Sequence, residues 1–301
     1  MSLSLQKMRL LFVSVLFAFI SNAQQTQVNI EVPAHQANDH LISHAGYILS
    51  YNEKYEQANW VAYELTSAET NSIYNRTNKF LVDTKISTGS AQNSDYAGSG
   101  YDRGHLAPAG DMGWSAQSMI ESFYYSNMSP QVPSFNRGIW KNAESFTREA
   151  AIANHVVYVV TGPIFTSNMT TIGTNKVAVP QSYFKIILDY FEPELKAIAF
   201  VIPNAASQLP LQNFAVSIDD VEQLTGLDFF PLLPDNKESK LESKFDINLW
   251  SWQNYSHSKK STTSKSKSSS TSVQCTGTTK KGARCKRMTK DSSGKCAQHQ
   301  N

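Results

Sequence analysis

Cysteine is nearly absent from this chain. Its 301 residues include only three cysteines, Cys275, Cys285 and Cys296, and all three lie in the last 27 residues. The long segment before them has no disulfide, so its stability must come from core packing alone. An odd number of thiols also excludes complete pairing within one chain.

Long hydrophobic runs are missing as well. The longest apolar stretch near the start, LLFVSVLFAFI from Leu10 to Ile20, has 11 residues, whereas a transmembrane helix needs about 20. A membrane anchor is therefore the weaker interpretation. Lys7 and Arg9 precede this stretch and the small-residue sequence SNA follows it, which is typical of a secretory signal peptide. We expect residues 1–23 to be removed and the mature chain to be secreted or periplasmic.

An excess of charge of one sign is lacking overall, because the formal net charge is +2. This balance conceals two oppositely charged parts. Residues 256–301 carry 11 Lys and Arg residues against one acidic residue, whereas residues 24–255 have a net charge of −10. Residues 256–273 are rich in Ser, Thr and Lys without apolar periodicity, which predicts a flexible linker. The two parts are separate electrostatic bodies.

The segment before the linker has the pattern of an α+β domain built on antiparallel strands. Runs of β-branched and aromatic residues predict strands at 46–52, 59–65, 155–162, 182–190 and 196–204. Apolar residues at helical spacing predict a helix over 136–154. A variant capping box begins another helix at Ser217, and Gly226 closes it. The predicted organisation is a signal peptide (1–23), an N-terminal arm (24–45), a main domain (46–255), a linker (256–273) and a Cys module (274–301).

The sequence SGYDRGHLAP, from Ser99 to Pro108, places Asp102, Arg103 and His105 within four residues. Histidine titrates near neutral pH and suits the activation of water, while arginine binds phosphate through two parallel hydrogen bonds. Gly104 between them would let the backbone pass close to a bulky substrate. These residues therefore favour phosphodiester cleavage. The alternative is that Asp102 and Arg103 form a surface pair and that His105 is a buried structural residue.

A second segment, SNMSPQVPSFNRGIWKNAE, supplies the oxygen ligands that such a reaction needs. Asn136 offers a neutral carbonyl oxygen that suits Mg²⁺, which takes few protein ligands. Glu144 lies about 80° further round an ideal helix and can face the same cavity, where it would hold metal-bound water. The alternative is that Asn136 is a helix N-cap and Glu144 a solvated helix residue.

Together the two segments resemble the DNA/RNA non-specific endonuclease family, whose members are ββα-metal (His-Me finger) nucleases similar to endonuclease G. The resemblance runs from about Gly46 to Leu233 and includes YVVTGPIF, VAVPQSYFKIILD and LTGLDFFPLLP in the family's order. It implies an α+β fold with a ββα-metal core. It also implies that His105 is the general base, that Asn136 binds a single Mg²⁺ (or Mn²⁺), and that Glu144 holds the water shell of the ion.

The same resemblance implies supporting roles for three further residues. Arg103 matches the cation near the scissile phosphate, Asn127 matches a supporting residue of the site, and Arg137 follows the metal ligand and contacts phosphate. The family's activity implies endonucleolytic cleavage of DNA and RNA to 5′-phosphate and 3′-hydroxyl ends. Contacts made only to phosphate carry no base specificity. A homodimer is compatible with the sequence.

The Cys module has a spacing of its own, Cys275-x9-Cys285-x10-Cys296-x2-His299. Three thiolates and one imidazole match a closed tetrahedral Zn²⁺ site, and the TKKGxxC sequence resembles small Cys3His modules appended to other domains. The alternative is one disulfide with a third cysteine unpaired, which export would favour. Only a metal uses all four residues.

Two other functions remain compatible with these patterns. The chain could be a nucleic-acid-binding protein that acts through its basic tail, with a catalytically weak nuclease-like domain. It could also be a phosphodiesterase for small nucleotides. The presence of His105, Asn136 and Glu144 together argues against the first, and a basic tail has no evident use in the second.

Overall fold

The computed structural model describes residues 29–37, 39–252, 273–279, 282–289 and 291–300. The predicted signal peptide and all of the predicted linker except Val273 lie outside the described residues. Within the part that is described, no helix is both long enough and apolar enough to span a membrane.

The centre of the fold is a seven-stranded antiparallel sheet with the order β1-β2-β3-β6-β9-β10-β11. Its strands are β1 (His40–Ser43), β2 (Ile48–Asn52), β3 (Gln57–Thr66), β6 (Val156–Ile164), β9 (Ser182–Asp189), β10 (Lys196–Pro203) and β11 (Ala215–Val216). Short two-stranded ribbons are β4 (Asp102–His105) with β5 (Met128–Gln131), β7 (Thr171–Ile172) with β8 (Val177–Ala178), and β12 (Val273–Gln274) with β13 (Met288–Thr289). The expected α+β fold on an antiparallel sheet is confirmed. Residues 40–43, which we assigned to the N-terminal arm, form β1 of this sheet.

Six α-helices surround the sheet. They are α1 (Asn93–Tyr96), α2 (Ala116–Glu121), α3 (Pro133–Phe135), α4 (Lys141–Asn154), α5 (Ile218–Thr225) and α6 (Asp235–Glu242), among the described residues. Single 3₁₀ turns lie at Tyr125–Asn127, Leu211–Phe214, Ile247–Leu249 and Ala297–His299. The predicted capping box is present, since the Ser217 hydroxyl accepts from the Asp220 amide and Gly226 ends α5 with a left-handed φ of 72°.

Both faces of the sheet are buried, because each strand places alternate side chains on opposite faces. On β3, Val61 and Tyr63 belong to the core beneath α4, whereas Trp60 and Ala62 belong to the core beneath α5 and α6. The sheet therefore lies between two layers of helix. The chain stays packed on the first layer as far as Trp252, whose ring stacks on Phe146.

The β4–β5 ribbon and α4 form a ββα unit at one side of the sheet. The two strands pair in antiparallel register, with Asp102 opposite Gln131 and His105 opposite Met128. The chain then passes through α3 and a π-helical turn, Asn136–Trp140, before α4 begins. The single helix predicted over 136–154 is thus an α-helix only from Lys141 onward. The extra residue per turn of a π segment is frequent at functional sites.

Candidate active site

A cavity of about 390 Å³ opens on the ββα unit and contains most of the predicted site residues. Its lining residues are Arg76, Arg103, His105, Pro108, Ala109, Gly110, Asn136, Arg137, Lys141, Glu144 and Arg148. Five predicted residues line it, and the sixth, Asn127, does not. The ribbon supplies the histidine, the π turn supplies the asparagine, and the first turns of α4 supply the glutamate.

His105 is the last residue of β4 and is only 6% exposed. Its ring packs edge-on against Phe123, with centroids 4.8 Å apart, and lies 5.9 Å from Phe80. Burial, aided by the charge of Arg76, lowers the pKa of His105 to about 3. Its Nε2 atom has no hydrogen-bond partner among the described residues. The side chain is therefore a neutral imidazole whose Nε2 atom is buried without a partner.

Asp102 ties together two other site residues. Its carboxylate accepts hydrogen bonds at 2.8 and 2.6 Å from Arg137 and at 2.9 Å from the Asn136 amide nitrogen. The alternative in which Asp102 pairs with Arg103 is therefore wrong. Arg103 instead lies over the Phe80 ring, 4.5 Å from its centroid, and donates to Asn93 at 2.5 Å. Its guanidinium is thus held at the cavity wall by an aromatic ring and an amide.

Asn136 presents the oxygen of its amide without a protein donor. Its nitrogen is used by Asp102, and no donor to its oxygen exists among the described residues. The backbone of Asn136 is helical, with φ −55° and ψ −48°, and its side chain makes no capping bond. The alternative interpretation as an N-cap is therefore wrong, because an N-cap has non-helical backbone angles.

Glu144 lies on α4 and has no hydrogen-bond partner in the described part of the chain. Burial raises its pKa to about 7, although the charges of Lys185, Arg148 and Arg76 oppose this shift. A nearby cation would stabilise the ionised form of a carboxyl group in this environment. The alternative of a solvated helix residue does not fit this environment.

Asn127 is fully buried and acts behind the cavity wall. Its side-chain oxygen accepts from the Ala107 amide at 2.8 Å, and its nitrogen donates to the carbonyls of Ala107 and Ser122 at 2.9 and 2.8 Å. These bonds fix the segment that follows His105. Asn127 therefore holds the segment next to His105 in position and does not itself line the cavity.

Gly104 has a different role from the one that we expected. A Cβ atom on Gly104 would lie 2.1 Å from Cδ of Gln131, the buried side chain that crosses from β5. Glycine is therefore needed at this position for the packing of the ribbon, and not for approach of a substrate.

Three cations of the cavity, Arg76, Lys141 and Arg148, were not predicted. Arg148 lies one turn after Glu144, and its guanidinium donates to the buried Asp111 at 2.7 Å. The i, i+4 spacing from Glu144 was a usable signal. Arg76 comes from the long connection between β3 and β4, and nothing local in the sequence connects it with the site.

Five cationic side chains and one carboxylate thus share the cavity with a neutral histidine. Clustered arginines bind phosphate through paired hydrogen bonds. The unengaged oxygens of Asn136 and Glu144 are hard donors of the kind that Mg²⁺ and Mn²⁺ prefer, so these residues fit a divalent ion. The site is that of a metal-assisted phosphodiesterase built on a ββα unit.

Comparison with known proteins agrees with this class. The sequence model of the DNA/RNA non-specific endonuclease family matches residues 24–236, and the chain belongs to that family. It is 37% identical over 206 residues to mitochondrial endonuclease G of Bos taurus, which covers 64% of this chain and 69% of that protein. It is 39% identical over 228 residues to a nuclease of Syncephalastrum racemosum, covering 68% and 71%. The chain is a nucleic-acid hydrolase.

A solved structure supports the fold independently. A chain in the crystal structure of the EndoG/EndoGI complex superposes with a TM-score of 0.64 and 34% identity. The match covers 68% of this chain and 90% of that chain. The family is one of divalent-metal nucleases, which agrees with the oxygen donors found in the cavity.

Proposed function

We propose that this chain is an exported, Mg²⁺-dependent endonuclease that cleaves DNA and RNA and leaves 5′-phosphate and 3′-hydroxyl ends. The observation that supports this most strongly is the neutral His105 at a cavity lined by five cations, with Asn136 and Glu144 beside it. Export rests on the signal-peptide pattern of residues 1–23.

Asn136 would hold the Mg²⁺ (or Mn²⁺) through its side-chain oxygen, and Glu144 would hold water molecules of the ion's shell. Such an ion, when bound, would stabilise the negative charge that develops on the scissile phosphate and on its leaving oxygen. Asp102 orients this arrangement, because its bond to the Asn136 nitrogen leaves the amide oxygen free. The zinc that we infer for the C-terminal cysteines is a separate ion.

His105 takes the proton of the attacking water on its imidazole ring. A pKa of about 3 makes the free histidine a weak base, since burial and Arg76 both disfavour its charged form. A phosphate in the cavity would add negative charge close to the ring and oppose the effect of Arg76 on the pKa of His105, whereas a bound divalent ion would add positive charge.

The arginines account for the absence of sequence preference. Arg76, Arg103 and Arg148 line the cavity and can contact phosphate oxygens, which are the same in every nucleotide. The one carboxylate among them, Glu144, has its charge balanced by the surrounding cations. A site of this kind recognises the backbone of DNA and of RNA alike.

The test uses the purified mature chain with plasmid DNA and with a long RNA, in Mg²⁺ and in EDTA. We expect degradation of both substrates only with metal. We also expect ends that accept label from polynucleotide kinase only after phosphatase treatment. Binding without cleavage in Mg²⁺ would favour the nucleic-acid-binding alternative. Cleavage of small phosphodiesters, while the plasmid remains uncleaved, would favour the alternative of a small-nucleotide phosphodiesterase.

A further inference from the structure

The three cysteines and the last histidine of the Cys module converge on one point. One ligand atom from each of Cys275, Cys285, Cys296 and His299 lies within 4.8 Å of the other three. All three thiols are buried and none forms a disulfide. The three cysteines are well separated along the sequence. The β12–β13 ribbon and the turn at Ala297–His299 bring them together with His299.

Three separations within the cluster match the edges of a tetrahedron around zinc. The His299 Nδ1 atom is 3.4 Å from the sulfur of Cys275 and 3.4 Å from that of Cys296, and the Cys285 and Cys296 sulfurs are 3.9 Å apart. Bonds of about 2.3 Å to sulfur and about 2.0 Å to nitrogen give tetrahedral edges of roughly 3.8 Å (S···S) and 3.5 Å (S···N). A disulfide needs sulfurs about 2.05 Å apart, so the disulfide interpretation does not fit.

The backbone around the cluster is arranged to support thiolates. The amides of Gly277 and Cys296 donate to the Cys275 sulfur at 3.4 and 3.1 Å. A Cβ atom on Gly277 would lie 2.4 Å from the His299 ring, so glycine is required for that ring to approach. Donors to sulfur and room for the imidazole are the surroundings that a metal-bound set requires.

The described residues of the Cys module form no hydrophobic core that would otherwise bring these groups together. Among its described residues, the buried apolar cluster consists of the three cysteines alone. Val273 and Met288 are 46% and 59% exposed. A segment of this size needs disulfides or a metal to fold.

We propose that Cys275, Cys285, Cys296 and His299 bind one Zn²⁺ in a closed tetrahedral site whose role is structural. All four positions of the ion are filled by protein, so no position remains for a catalytic water. Zinc binding then supplies the folding free energy of the Cys module. The proposal goes beyond the nuclease activity and does not depend on it.

The test measures zinc by elemental analysis in the full mature chain, in Cys285→Ser and in the matched control Thr278→Ala. We expect Cys285→Ser to contain about one zinc per chain less than the parent, and the control to contain the same amount as the parent. Comparison with the parent removes any zinc that occupies the active site. Equal zinc in all three proteins would overturn the proposal.

Two further variants show whether His299 is a ligand. His299→Cys should keep the zinc and, after cobalt substitution, show the stronger thiolate-to-metal absorption of four sulfur ligands, whereas His299→Ala should lose metal affinity. A zinc-free parent with only one titratable thiol would instead show a disulfide. His105→Ala should retain the zinc and Cys285→Ser should retain cleavage of short substrates, so failure of either proposal is recognisable without the other.

Discussion

Asp102 connects the strand that carries His105, our proposed base, with Asn136, our proposed metal ligand. It lies on the same short strand as His105 and accepts hydrogen bonds from Asn136 and Arg137 on the turn that follows β5. Because one carboxylate fixes two side chains of another element, the geometry of the cavity depends on the β4–β5 pairing. Arg137 is 72% exposed, so its ion pair with Asp102 contributes orientation more than stability.

Replacement of His105 by alanine should lower kcat by at least about 10²-fold, the usual contribution of a general base. The cavity arginines remain, so DNA binding should be little changed. Steady-state kinetics on a short duplex and a binding titration in EDTA measure the two effects. Near-normal turnover of the variant would show that His105 is a structural residue.

The pH dependence follows from the lowered pKa of His105, about 3 in the free protein. A base acts in its neutral form, so the loss of kcat/KM that is due to His105 should occur well below pH 6.5, the ordinary value. Burial raises the pKa of Glu144 to about 7, so this carboxylate also takes up a proton in weak acid. A fall near pH 6.5 that persists in Glu144→Gln would contradict a buried neutral His105.

Asn136→Ala should raise the Mg²⁺ concentration needed for half-maximal activity by at least about tenfold, because a direct ligand is lost. Asn136→Asp keeps an oxygen ligand but loses the donor to Asp102, so it should recover only part of the affinity. Asn213→Ala, at an exposed residue outside the cavity, is the matched control. Superimposable metal titrations of parent and Asn136→Ala would exclude Asn136 as a ligand.

The packing of the β4–β5 ribbon depends on one glycine, Gly104. A side chain at Gly104 collides with Gln131, whose amide atoms have no hydrogen-bond partner among the described residues. Gly104→Ala should therefore lower the free energy of unfolding by about 1–3 kcal/mol, as overpacking does. In Gly104→Ala/Gln131→Ala the collision is gone, and chemical denaturation should show partial recovery. Additive losses in the double variant would contradict this explanation.

The contact of α5 with α6 should make stability depend on pH. Burial, together with the nearby carboxylates of Glu222 and Glu238, raises the pKa of Glu242 from 4.5 to about 8. Between these values the folded chain keeps a proton that the unfolded chain has released, so stability is lost as pH rises through this range. Glu242→Gln should raise Tm at pH values above about 8 and leave it unchanged near pH 4. The exposed Glu194→Gln is the control, and a shift of equal size at both pH values would contradict the raised pKa.

The sequence predicts the elements whose side chains repeat regularly, and it misses contacts between distant segments. β3, β6, β9 and β10 have long aliphatic runs, and their strands were predicted. The π turn at Asn136–Trp140 was missed because its residues also fit an ordinary helix. His105, Asn136 and Glu144, which the motifs predicted as site residues, line one cavity. Arg76 was not found, since only the tertiary fold brings its loop to the cavity.

The opposite charges of the two parts matter at the scale of the whole molecule. A body with a net charge of −10 repels DNA over the Debye length, about 8–10 Å at ordinary salt. A tail of +10, residues 256–301, can neutralise phosphates and release counterions without sequence preference. The tail therefore acts, in our hypothesis, as a tether that raises the local concentration of long substrates.

Deletion of 256–301 should then raise KM for long DNA several-fold, change kcat little, and make the dependence of log KM on log salt shallower. A short duplex is the control substrate, because it gains little from a second point of attachment. Unchanged KM and salt dependence would instead favour the alternative that the tail holds the protein at an acidic cell envelope.

The central sheet ends in two very short strands. β1 has four residues and β11 has two, whereas β3 between them has ten. Each edge strand therefore exposes only a short row of unpaired backbone groups that could pair with another chain. Short edge strands are one way in which natural proteins avoid edge-to-edge aggregation. Pairing of sheets is a poor route to a dimer for this chain. Two copies would have to associate through side-chain surfaces, and a concentrated sample should resist growth into fibrils.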